Sequence, residues 1–63
     1  MVTLGAKIKE ARDNRGITQD ALAKALGVSL NTVWRWENDD RKPTIDNLMK
    51  IAMELQVDTG TLF

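Results

Sequence analysis

Sixty-three residues are enough for one domain, since a chain of this length buries only about 60% of its unfolded surface and has no material for a second core. Nine Lys/Arg balance nine Asp/Glu and there is neither cysteine nor histidine, which excludes disulfide staples, thiolate zinc sites and Ser-His or Cys-His catalytic pairs. No charged leader with an apolar core and no run of about 20 apolar residues is present, so the sequence reads as a cytoplasmic protein with no membrane partner. Zero net charge denies the chain the bulk positive field of many nucleic-acid binders. Phosphate attraction nevertheless depends on local placement, because charges beyond about 8 Å are largely screened at physiological salt.

In chain order, Leu4, Ile8 and Ala11 fall on one stripe and predict a first helix over about 3–14, with Lys7, Lys9, Glu10 and Asp13 turned to water and Gly16 as its left-handed stop. Thr18 is an N-cap, and Ile17 before it can staple onto Leu22 in a second helix over 19–26 that buries Leu22, Ala23 and Leu26. Ala23 is small where two helices joined by a tight turn must approach closely. Gly27 can end that helix in the left-handed conformation, and Ser29 can cap a third over 30–38. At about 100° per residue, Leu30, Asn31, Trp34, Arg35 and Asn38 share one face of the third helix, and Val33 and Trp36 share the opposite one. One face packs and the other is presented outward.

Residues 39–43, Asp-Asp-Arg-Lys-Pro, read as an exposed loop, with Pro43 holding Lys42 extended. Thr44 caps a fourth helix over 45–55 whose Ile45, Leu48, Met49, Ile51, Ala52 and Leu55 give a wide apolar face. Asp58 caps a last short turn over 59–62, with Leu62 and Phe63 closing the core. No stretch alternates with period two, so the fold class is all-α. Two short helices linked by a tight turn, with a polar face on the second, are the sequence form of a helix-turn-helix.

Gly16-Ile17-Thr18-Gln19-x-x-Leu22-Ala23-x-x-Leu26-Gly27-Val28-Ser29, then Val33-x-x-Trp36-Glu37-Asn38, Lys42-Pro43-Thr44 and Leu48-x-x-Ile51-Ala52-x-x-Leu55, resembles the five-helix DNA-binding domain of lambdoid phage repressors, Cro proteins and Xre-type regulators. The match spans nearly the whole chain and combines core, cap and turn positions over four helices. The resemblance implies a compact, λ-repressor-like domain in which helices two and three form the helix-turn-helix and the third enters the major groove. It implies that Gln19 touches a phosphate, that Leu30, Asn31 and Arg35 read base edges, and that Arg12 pairs with Glu37. The chain departs from the pattern at Asp39, where glycine is common, at Gln56, in place of a helix-ending glycine, and at Leu30, where several relatives carry glutamine. Asp39 and Asp40 are expected to repel phosphate beside the loop.

The residue chemistry agrees. Arg35 has the fork that matches O6 and N7 of guanine, Asn31 can pair with N6 and N7 of adenine, and Leu30 can touch a thymine methyl. Each has a plainer reading as a solvated surface residue. Gln19 begins a helix whose N-terminus favours an anion. Arg41 and Lys42 are the loop's candidate phosphate contacts, with Arg15 and Lys50 as further cations. Trp36 is assigned to the core; Trp34, outward beside Leu30, is expected to fold down over its own scaffold. Arg12 and Glu37 border packed faces, which favours a partly buried ion pair over a surface one.

No carboxylate pair, metal box or glycine-rich phosphate loop suggests catalysis, a cofactor or a small-molecule substrate. The reading is sequence-specific binding of double-stranded DNA by a transcriptional regulator, acting as a weak homodimer on a two-fold operator. The rival is a stable scaffold or protein-interaction module on the same fold, either a relative that has lost DNA binding or an engineered sequence.

Overall fold

A computed structural model describes residues 2–62 and contains five helices: α1 (Leu4–Asn14), α2 (Gln19–Leu26), α3 (Leu30–Glu37), α4 (Ile45–Leu55) and α5 (Thr59–Leu62). Among the described residues there is no strand. Four starts follow one rule: the hydroxyls of Thr3, Thr18, Ser29 and Thr44 accept from the amides of Ala6, Ala21, Thr32 and Asn47 at 3.0–3.2 Å. Each such cap is worth about 1 kcal/mol, so local chemistry marks where each helix starts. The first helix begins one residue later than expected because Thr3 is its cap, and the third ends one residue earlier because Asn38 closes it, donating from Nδ2 to the Trp34 carbonyl at 2.8 Å.

The α2–α3 turn depends on Gly27, whose φ of 71° lets Val28 donate back to the Ala23 carbonyl at 3.0 Å. Val28 and Ile17 pack against the core from the two ends of α2. Ile8, Leu22, Val33, Ile51 and Leu55 are fully enclosed, and Ala23, Trp36, Leu48, Ala52 and Leu62 nearly so. α3 packs against α1 and α2, and α4 against α1, α2 and α5, around one apolar centre.

The expected core needs three adjustments. Leu26 is half-buried at the margin. Ile45 and Met49 lie outside it, 68% and 48% exposed, because the packed stripe of α4 is the narrower Leu48, Ile51, Ala52 and Leu55 set. Phe63 lies outside the described residues. At the last turn the structure shows the Thr61 N–H on the Asp58 carbonyl at 2.9 Å.

Gly5 is the close approach that the sequence did not announce. A Cβ there would stand 2.5 Å from the Trp36 carbonyl oxygen and 2.6 Å from that of Glu37, so α1 abuts the last turn of α3 with no room for a side chain. The start of the first helix and the end of the third are thereby fixed together.

Candidate nucleic-acid interface

α3 is anchored by Val33 and Trp36, both inside the core, which turns Leu30, Asn31, Trp34 and Arg35 to the outside. Gln19, Leu30, Asn31 and Trp34 together line one shallow, open depression between the start of α2 and the face of α3. Trp34 remains 49% exposed and does not fold down over the scaffold as expected. Its position on the outward face directs the indole away from the core that Trp36 occupies.

Behind this face a buried polar network fixes α3. Arg12 donates from Nε to Glu37 Oε2 at 2.7 Å and from Nη2 to Oε1 at 3.2 Å, and Gln19 Nε2 donates to the same Oε1 at 3.0 Å. Arg12 Nη1 reaches the Ile17 carbonyl at 2.6 Å and lies 3.2 Å from Asp13 Oδ1. The expected Arg12–Glu37 pair is therefore present, and its side chains are 10% and 1% exposed. The Glu37 hydrogen bond, more than the charges of Glu37 and Asp13, raises the Arg12 pKa against the opposing effect of burial. No described buried side-chain nitrogen or oxygen is left without a partner.

For Gln19 the structure adds a second engagement. One of its two side-chain N–H groups is spent on Glu37, which leaves the other, together with the amides that open α2, to meet an anion. Arg41 and Lys42 are exposed on the loop that follows α3. Arg15 is directed elsewhere, donating to Gln56 Oε1 at 2.7 Å, where Gln56 ends α4 in the left-handed conformation at φ 57°. Lys50 stands on the outer face of α4, an element distinct from α3.

The two loop acids have separate fates. Asp39, at φ 59°, accepts from Thr3 Oγ1 at 2.6 Å and from the Gly5 amide at 3.0 Å. Its charge is thus committed to the N-terminus of α1, a favourable place for an anion, instead of standing free beside a phosphate path. Asp40 faces the expected reading surface: its Oδ2 lies 3.7 Å from Arg35 Nε. Both groups are about half exposed, so the pairing is weak, but it gives Arg35 an internal counter-charge. Thr3, Gly5 and the Asp39 contact were not found from the sequence. The capping spacing of Thr3 and Ala6 was available; nothing local connects Asp39 to residues more than 30 positions away.

No described helix is long and apolar enough to cross a membrane, and no described group of three or more His, Cys, Asp or Glu is arranged to hold a metal ion. The chain is 36% identical over 61 residues to the HTH-type transcriptional regulator ImmR of Bacillus subtilis, an alignment that covers 97% of this chain and 48% of ImmR. It is 42% identical over 55 residues to the regulator DicA of Escherichia coli, covering 87% of this chain and 41% of DicA. It thus spans less than half the length of either relative. Among solved structures, the P22 c2 repressor in complex with a synthetic operator superposes with a TM-score of 0.92 at 30% identity, covering 100% of this chain and 96% of that one. The helix-turn-helix family profile, HTH_3, matches residues 8–62, across the same α2–turn–α3 unit that the caps and the Val33/Trp36 anchors build, and the chain belongs to that family.

Proposed function

We propose that this chain binds double-stranded DNA sequence-specifically as the DNA-binding part of a cytoplasmic transcriptional regulator, without catalysis, cofactor or small-molecule substrate. The observation that carries the reading is the division of α3: Val33 and Trp36 are enclosed while Leu30, Asn31 and Arg35 stand outward on one face. An operator-bound relative with the same fold at 30% identity supports it. In this reading α3 lies in the major groove, Arg35 and Asn31 hydrogen-bond base edges, and Leu30 meets a thymine methyl. The α2 amides with Gln19, and Arg41 and Lys42 in the loop, hold phosphates and set the register. One domain covers one half-site, so a weak homodimer occupies a two-fold operator whose halves lie about 34–36 Å apart.

One observation favours a second reading. Asp40 beside Arg35, on a chain of zero net charge, suits a scaffold or protein-interaction module whose DNA affinity has lapsed. Titration of random-sequence duplex at low and moderate salt separates the two. A DNA binder gives association that weakens steeply as salt rises. Absence of association at low salt would reject the proposal and leave the scaffold.

A further inference from the structure

Leu30 and Trp34 are large hydrophobic side chains left in solvent, 47% and 49% exposed, on the outward face of α3. Four residues apart, they lie one above the other on that face. With Gln19 and Asn31 they line an open depression of about 400 Å³ whose surface is mostly apolar. Two polar groups near it are already engaged: Gln19 Nε2 donates to Glu37, and Asn38, one turn beyond Trp34, donates from Nδ2 to the Trp34 carbonyl. A single exposed leucine is ordinary. A leucine and a tryptophan together, on the face that also carries Asn31 and Arg35, form an apolar patch in search of a ligand.

What the patch fits follows from the chemistry of the major groove, and so rests on the DNA-binding reading above. There the base pairs offer hydrogen-bond donors, acceptors and one apolar substituent, the C5-methyl of thymine. Leucine and the carbon face of an indole make no hydrogen bond, so an N7, O6 or N4 group pressed against them would lose its water without a replacement. A methyl group gives up nothing polar and gains burial. The patch therefore selects a methylated pyrimidine both by attraction and by excluding bare polar edges. Trp34 suits the task, because its large ring turns on only two side-chain bonds and little freedom is lost when it is held. Four residues advance a helix by about 6 Å, whereas successive base pairs rise by about 3.4 Å. When α3 follows the groove, Leu30 and Trp34 thus face different base pairs.

We propose that Trp34 is a specificity-determining residue that reads the C5-methyl group of a pyrimidine, thymine or 5-methylcytosine, on a different base pair from the one that Leu30 meets. Its indole adds an apolar reading position to the polar ones at Asn31 and Arg35. The depression is continuous with Asn31 on the same face, which favours a base edge over a protein side chain as its occupant. Exposure of Trp34 in the free chain is then the open half of an interface.

The test replaces each thymine in turn by deoxyuridine in a duplex selected from a random library, which deletes the methyl and keeps every hydrogen-bonding group. Fluorescence anisotropy with the unmodified chain should find a position, separate from the one that answers to Leu30→Ala, where uracil weakens binding by about fourfold for the lost methyl. In Trp34→Ala, thymine and uracil at that position should bind equally. For the unmodified chain, 5-methylcytosine there should bind about fourfold more tightly than cytosine. Circular dichroism verifies that each variant is folded. Uracil tolerated at every position, or a methyl preference that survives Trp34→Ala, overturns the proposal. So does Trp34→Ala weakening all duplexes equally, which would put the indole on the sugar–phosphate backbone, or leaving every affinity unchanged, which would put it outside the interface. Uracil-tolerant binding that still loses a base preference in Arg35→Ala refutes the methyl reading alone. Absence of duplex binding by the unmodified chain removes the functional reading and this inference with it.

Discussion

Replacing Glu37 by glutamine preserves size and shape while removing the charge that holds α3 to α1 and α2. In the structure the Glu37 carboxylate accepts three hydrogen bonds, two from Arg12 and one from Gln19. A glutamine can keep one acceptor oxygen, but its NH2 then faces an N–H of Arg12 or Gln19, and the guanidinium loses its buried counter-ion. Breaking a buried pair costs about 3–5 kcal/mol when nothing remains for the survivor. Arg12 retains the Ile17 carbonyl and the exposed Asp13, so the loss is reduced to about 2–3 kcal/mol. A domain of this size has about 6 kcal/mol of total stability, and each kcal/mol moves its Tm by about 4–8 °C. The expected fall is therefore roughly 10–20 °C in a circular dichroism melt. Arg12→Met combined with Glu37→Leu should cost less than the sum of the two single changes, because neither charge is then stranded. A shift below about 2 °C for Glu37→Gln would refute the buried network. The sign of the pH dependence follows from the raised Arg12 pKa: stability from this charge is fully present below the ordinary guanidinium range and is lost only as pH rises through the raised value.

Gly5→Ala should reverse the usual helix preference. Alanine ordinarily gains about 0.5–1 kcal/mol over glycine inside a helix, but a Cβ 2.5 Å from the Trp36 carbonyl makes the change destabilising by about 1–3 kcal/mol, measurable by urea unfolding. Asp40→Asn removes the counter-charge of Arg35; duplex affinity should rise, while stability changes by no more than about 0.5 kcal/mol. Arg41→Ala and Lys42→Ala should each reduce the slope of log affinity against log salt by about one, and an unchanged slope removes the residue concerned from the interface.

The elements were legible because their causes are local. Thr18, Ser29 and Thr44 carry their own caps, Gly27 carries its own turn, and the apolar spacing around Leu22, Val33 and Ile51 fixes which sides pack. The orientation of α3 followed from the half-turn separating Val33 and Trp36 from Leu30, Asn31 and Arg35. The misjudged features depend on what the chain folds back against. Met49 and Ile45 look as apolar as Leu48, yet only the side of α4 that meets α1, α2 and α5 is covered, and no window on α4 contains those partners. Asp39 resembles a loop carboxylate in sequence and becomes an α1 cap only because Gly5 lets α1 close on α3. Arg35 offers a free fork in sequence and acquires Asp40 only through the turn in which the Asp40 amide donates to the Arg35 carbonyl at 2.9 Å.

Selecting bound duplexes from a random library, in parallel with the unmodified chain and Arg35→Ala, bears most directly on the outward face of α3. The account predicts that the substitution flattens the preference at one base pair, by about 1–3 kcal/mol of discrimination, and leaves the other positions of the half-site unchanged. Identical base preferences from both proteins, or no enrichment by either, would contradict it.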